Sequence, residues 1–499
     1  MKNMKKMKRL VALALSVVMV LAMSVFAFAG EVTNSKVDIT EHTFEAYQIF
    51  SGKYEENTLS NIKWGNGVNS ATLVTALQDY TYKTSEEATP LKPFEGCDSP
   101  AKVAEELAKY NETSEVVKAF TRIVDKHLTT KAVEGKGSVT LGSAGYYLIK
   151  DVTENLANAD DARNLSVLKV TEANATVTPT VKTDKPELVK KVKDTNDSTG
   201  TVTEWQDSAD YDIGDSIPYQ LTATMGDLSN YDTYYINFVD TMTNLTYTKI
   251  TSVTVGGNPL TEGQYTVDWD ASSKTLQVSI NDVKQYGASK GTQVVVEYTA
   301  TLDETANIGS TGNPNTAYLE YSNNPNNAGD GEKGKTPEDK NIVFTYKVVA
   351  NKLNENNQPL EGAEFTLYKK VNKQWVSKGQ LKGSGDNKNT FEWNGLDDGE
   401  YKIEETVTPS TYNKIDDIEF TITADHEILS NNPVLKSLNG GDIFTGEVTT
   451  GKVSTDIVNK KGSTLPSTGG IGTTIFYVVG AILMVGAAVL LITKRRAEN

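Results

Sequence analysis

The chain has 499 residues, 38% of them hydrophobic and 23% charged, and a formal net charge of -16. The first 29 residues carry +5 and the last six +2, which leaves -23 on everything between, so acidic a surface that nucleic acid is a poor partner and solubility is its plain meaning. A single cysteine, Cys97, excludes an internal disulfide and a cysteine-based zinc site.

The N-terminus holds Lys2, Lys5, Lys6, Lys8 and Arg9, then an apolar run that closes on Ala27-Phe28-Ala29. A basic start, an apolar middle and a small-x-small exit predict a cleaved signal peptide over 1–29 and an exported chain from Gly30.

Residues 30–181 mix β-like stretches, VDITEHTFEAYQIF and GYYLIK, with the helical stretch SPAKVAEELAKYNETSEVVKAFTRIVDKHL. There Val103, Leu107, Val116, Val117, Phe120 and Ile123 recur at helical spacing, and Ser99-Pro100 is a suitable helix start. A mixed first domain is expected.

From 182 to 341 short alternating runs such as SIPYQLTATM, TQVVVEYTATL and TAYLEYS are parted by Gly, Asn and Asp turns, which predicts a β-sandwich closed by a polar linker over 322–340. Residues 342–461 repeat that pattern with AEFTLYKKV, GEYKIEETV and DIEFTITA. The fold class is therefore mainly β, tandem immunoglobulin-like sandwiches in a rod with an α/β-decorated N-terminal domain.

Ordinary catalytic patterns are missing. His42, His127 and His426 lie far apart with no metal-ligand spacing. The stretch Asp194 to Gly200, DTNDSTG, echoes a calcium loop without its bidentate Glu and reads as a turn. No cofactor, no metal and no enzymatic activity are expected.

Residues 462–499 contain Leu465-Pro466-Ser467-Thr468-Gly469, then 23 uncharged residues over 471–493, then Lys494-Arg495-Arg496. As a helix that run is about 34 Å long, enough to span a bilayer with the basic tail inside. Pentapeptide, span and basic tail in this order resemble the cell-wall sorting signal of Gram-positive surface proteins, which implies sortase cleavage at Thr468-Gly469. GEYKIEETVTP resembles the E-box of pilin sandwiches, and LNENNQPLEGAEFTLYKK the opening hairpin of collagen-adhesin B-type domains. With GNPNTAYLEYSNNP, the chain resembles the shaft subunit of sortase-assembled pili, whose sandwiches are of the collagen-adhesin A and B types.

That resemblance implies a nucleophilic lysine between the first two domains. In ATVTPTVKTDKPELVKKV the positional match is Lys182, with Lys185 the second candidate, although Val181 stands where the motif has Pro. It also implies internal Lys–Asn isopeptide bonds promoted by an acid. Such a bond needs a buried, neutral lysine and a carboxylic acid kept protonated beside the Asn amide.

In the middle domain Leu188, Lys190 and Val192 share one parity, Asp240 lies in the apolar strand NFVDTM, and Asn315 opens the last strand. The expected bond is Lys190–Asn315 promoted by Asp240, with Lys191 and Asn323 as rivals. In the third domain the expected bond is Lys352–Asn459 promoted by Glu405, with Thr411 where the E-box exit usually has Gly before Tyr412. No comparable trio stands out in the first domain. The partners implied are pilus-class and housekeeping sortases, further copies of the chain, ancillary pilins, peptidoglycan and a host or matrix ligand, at the cell-wall surface. The alternative is a monomeric wall-anchored adhesin in which Lys182 is inert.

Overall fold

The computed structural model describes residues 39–463 and 471–497, except 57, 84–88, 113, 154–164, 171–172, 180–184 and 326–332. The signal peptide, Lys182 and the Leu465-Gly469 pentapeptide lie outside the described residues.

The first unit is built on the long strand Thr43–Glu55, which pairs with Thr58–Trp64 on one side and with Gly145–Asp151 on the other, while Val133–Lys136 joins its N-terminal end. Helices Ser70–Asp79, Pro100–Leu107 and Glu115–Asp125 cover one face and bury Leu73, Leu77, Val103, Leu107, Val116, Phe120 and Val124 against Ile49, Phe50, Tyr146 and Leu148. Ser99 caps its helix by accepting from the Lys102 N–H, and Pro100 takes the first turn, where no N–H is needed. The expected helical stretch is two helices, because Ser114 caps a new start by accepting from the Val117 N–H. Helix 70–79 was not expected; its signal is Asn69 as N-cap and Leu73 and Leu77 one turn apart.

The second unit is a sandwich. One sheet runs 258–259, 245–255, 293–302, 216–224, 187–192; the other runs 208–210, 339–344, 313–322, 236–242, 275–280, 266–270, with 333–335 flanking 313–322. Their inward faces meet in a core that includes Tyr219, Leu221, Phe238, Val278, Tyr298 and Leu319. The reading of 322–340 as a linker needs correction: Lys333–Lys335 and Asp339–Phe344 both pair with the strand Asn313–Ser322. Polar composition hid them, since Lys333 and Lys335 face solvent on either side of the buried Gly334.

The third unit is a second sandwich, with sheets 390–396, 346–354, 452–459, 445–447 and 374–382, 364–371, 399–407, 418–426, 435–439. The two sandwiches share a strand. In Asp339–Phe344, Val343 packs into the second core while Ile342 and Phe344 pack into the third. The helix Ile471–Ala497 follows; over Ile475–Arg495 it has a mean hydropathy of 2.8 and buries nothing against the rest, so it is long and apolar enough to cross a membrane.

Candidate functional site

Three lysines are fully buried among the described residues, Lys190, Lys352 and Lys369, and their surroundings separate them into two kinds.

Lys352 lies on the strand Tyr346–Asn354, which runs parallel to Lys452–Asn459 with Lys352 opposite Ile457 and Asn354 opposite Asn459. Residues two apart on a strand face the same way, so Lys352 and Asn459 project from neighbouring strands into the same core. Glu405 enters from the facing sheet on the same parity as Tyr401 and Ile403. Its Oε1 accepts from Asn459 Nδ2 at 2.7 Å, and its Oε2 accepts from the Thr408 hydroxyl and the Ile415 N–H, each at 3.2 Å. Lys352 Nζ donates to the Ile457 carbonyl at 2.9 Å. Burial pulls this amine down to about 8, only partly opposed by the charge of Glu405. Asn459 Oδ1 is buried with no hydrogen-bond partner.

Lys190 reaches inward from Glu187–Val192, its side chain wholly enclosed and its Nζ 4.9 Å from the centre of the Tyr219 ring. Nζ meets Asp240 Oδ2 at 2.5 Å and the Tyr298 hydroxyl at 3.0 Å. Tyr298 donates to Asp240 Oδ2 at 2.6 Å and accepts from Asn315 Nδ2 at 2.8 Å. Asp240 and Asn315 sit on adjacent antiparallel strands, opposite Ala317 and Met242 respectively. Burial lowers the Lys190 amine even with Asp240 beside it. Asn315 Oδ1, like Asn459 Oδ1, has no partner.

Tyr298 is the member that sequence reasoning missed. Asp240 was expected to touch the Asn amide, whereas here a hydroxyl stands between them. The available signal was an inward-facing tyrosine in QVVVEYTATL, where a buried O–H needs a partner. Of the rivals, Lys191 turns outward to pair with Asp207, and Asn323 lies beyond the end of its strand. Asn341, opposite Asn315 in register, donates to the backbone carbonyls of Lys190 and Asp207 instead.

Lys369 is different. Its Nζ lies 3.0 Å from Asp197 Oδ2, 3.0 Å from Asp212 Oδ2 and closer still to Asp397, at the junction of the two sandwiches. Burial opposes its charge, but Asp397 and Asp212 outweigh burial and hold the pKa above the ordinary lysine value. This lysine is a locked cation, whereas burial lowers the pKa of Lys190 and Lys352. Lys185 is half-buried beside a groove lined by Pro186, Leu188, Pro337 and Glu338.

Residues 457–499 match the LPXTG cell wall anchor motif, and residues 346–433 match the SpaA prealbumin-like fold domain. With the apolar helix and basic tail inside the matched anchor, the chain is a cell-wall-anchored surface protein. The trypsin-resistant surface T6 protein of Streptococcus pyogenes serotype M6 is 28% identical over 264 residues, covering 40% of this chain and 48% of that protein, so the match spans about half the relative's length. Among solved structures, the T6 backbone pilin of serotype M6 S. pyogenes covers 86% of this chain and 97% of its own at 18% identity and a TM-score of 0.49. The full-length major pilin SpaD of Corynebacterium diphtheriae covers 85% and 94% at 16% identity and a TM-score of 0.44.

Proposed function

We propose that the chain is the shaft subunit of a covalent pilus, stapled inside each sandwich by a Lys–Asn isopeptide bond and joined to its neighbours by sortase. The observation that carries this reading is the repetition, in two successive sandwiches, of a buried low-pKa lysine beside a buried acid and a buried Asn, on a chain ending in a wall-anchor motif. Neutral Lys352 Nζ attacks Asn459 Cγ; the new C–N bond forms, the Cγ–Nδ2 bond breaks, and ammonia leaves. Glu405 faces Nδ2, the nitrogen that must depart with an extra proton. Asp240 serves Asn315 in the same way through the Tyr298 hydroxyl.

Polymerisation uses the segment between the first two units. Sortase cleaves Thr468-Gly469, holds the Thr468 carbonyl as a thioester, and Lys182 of the next subunit resolves it, releasing the thiol. A final transfer to peptidoglycan anchors the polymer. Wall extracts should therefore give a ladder of SDS-resistant species that collapses to monomer in Lys182→Ala. A ladder that persists in this variant and disappears in Lys185→Ala moves the role to Lys185, and no ladder in the wild type leaves the monomeric adhesin.

A further inference from the structure

The junction of the second and third units holds two acidic clusters, and only one of them encloses a lysine. Asp197, Asp212 and Asp397 surround the Lys369 ammonium, with Lys378 also on Asp212. The other cluster brings Asp194 and Asp210 from the second unit against His426 from the third, with one donor atom of each within 4.8 Å of the others. Among the described residues no lysine or arginine pairs with Asp194 or Asp210. Asp398 adds a further carboxylate nearby, held by Asn196 Nδ2 at 2.7 Å.

Two features of this second cluster point to a ligand. First, Asp210 is almost completely buried and no well-formed hydrogen bond satisfies its Oδ2, although the Tyr346 hydroxyl lies beside it. Second, the His426 tautomer is fixed. The Ser208 hydroxyl donates its one proton to the Glu427 carbonyl at 2.7 Å, so the 2.7 Å contact between Ser208 Oγ and His426 Nδ1 requires Nδ1 to be the donor. In neutral His426 the Nε2 lone pair is then turned toward Asp194 Oδ2 at 3.6 Å and Asp210 Oδ1 at 3.9 Å, both too long for a hydrogen bond.

Those separations suit donors on a shared ion. Ligands about 2.1 Å from a tetrahedral centre stand about 3.4 Å apart. A set of one imidazole nitrogen with two carboxylates suits zinc, whereas calcium and magnesium take oxygen almost alone. We propose that His426, Asp194 and Asp210 bind a divalent cation of the zinc class, with water completing the shell, and that this ion ties the second sandwich to the third. The Nδ1–H held by Ser208 is the kind of outer hydrogen bond that orients a metal-ligating histidine.

The test is calorimetric titration of zinc chloride into chelator-stripped protein ending at residue 463, from which the apolar helix is dispensable because it buries nothing against the rest. One saturable equivalent is expected, at least about tenfold weaker in His426→Gln and in Asp210→Asn. Cobalt(II) loaded into wild-type protein should give the visible bands of a four-coordinate site and lose them on zinc addition, not on calcium addition. Absence of a saturable zinc site, equal zinc affinity in both variants, or only the weak spectrum of six-coordinate cobalt overturns the proposal. The cobalt measurement uses no variant, so it stands even if a substitution impairs folding.

Discussion

Thr411 has φ of +76°, a left-handed conformation that costs a β-branched residue about 1–2 kcal/mol. The turn is pinned on both sides, by Tyr412 N–H to the Pro409 carbonyl and by Gly462 N–H to the Thr411 carbonyl at 2.9 Å, so the strain cannot relax. Thr411→Gly should stabilise the third unit by about 1 kcal/mol and raise its melting temperature by about 5 °C, readable by calorimetry. Lys352 carries a pH signature. With the bond blocked by Asn459→Ala, its folded pKa of about 8 lies below the ordinary 10.5, so above pH 8 the unfolded chain binds more protons than the folded one. Stability should then rise with pH by about 1.4 kcal/mol per unit between pH 8 and 9.5 in urea titrations. The slope should vanish when Lys352→Met is added.

The strands made most of this legible. Alternation placed Lys190 beside Val192, and Lys352 beside Ala350 and Val348, on inward faces, because a sheet buried on one side enforces period two. The polar strand at 333–335 was not legible, since its pairing is decided by a partner distant in sequence. Tyr298 escaped for the same reason: only the facing sheet brings its hydroxyl between Asp240 and Asn315. The two proposed crosslinks depend on these strand pairings. Intact protein mass should fall short of the sequence by two ammonias, with one restored by Glu405→Ala and the other by Asp240→Ala. Each proposed bond would close a loop of more than 100 positions, worth roughly 5 kcal/mol, so each variant should melt on the order of 20 °C lower in one unit and become trypsin-sensitive there. Full sequence mass in the wild type would refute both bonds.

Across the molecule, the units are joined by chemistry that no short sequence window contains. Asp197 lies in a hairpin of the second unit, yet Ser198 beside it accepts from the Glu400 N–H and donates to the Lys370 carbonyl, both in the third. DTNDSTG is thus a turn, as read, but a turn whose acids serve the junction. Lys369→Met would leave Asp397 buried without its cation and Asp212 with Lys378 alone, at a cost of about 3–5 kcal/mol. Calorimetry should then resolve separate transitions for the second and third units, and adding Asp397→Asn should recover part of the loss.

The parallel pairing of the first and last strands of the third unit also has a mechanical consequence. A pull on a shaft enters this unit at Tyr346 and leaves past Asn459, at opposite ends of two side-by-side strands. Such a geometry is loaded in shear, so every rung from Lys347 opposite Lys452 to Asn354 opposite Asn459 resists at once and none can unzip alone. With Lys352 joined to Asn459, the force would pass along the seven residues from Tyr346 to Lys352 and straight out through the crosslink. The hundred or so residues between them then carry no load, and the unit transmits force without lengthening.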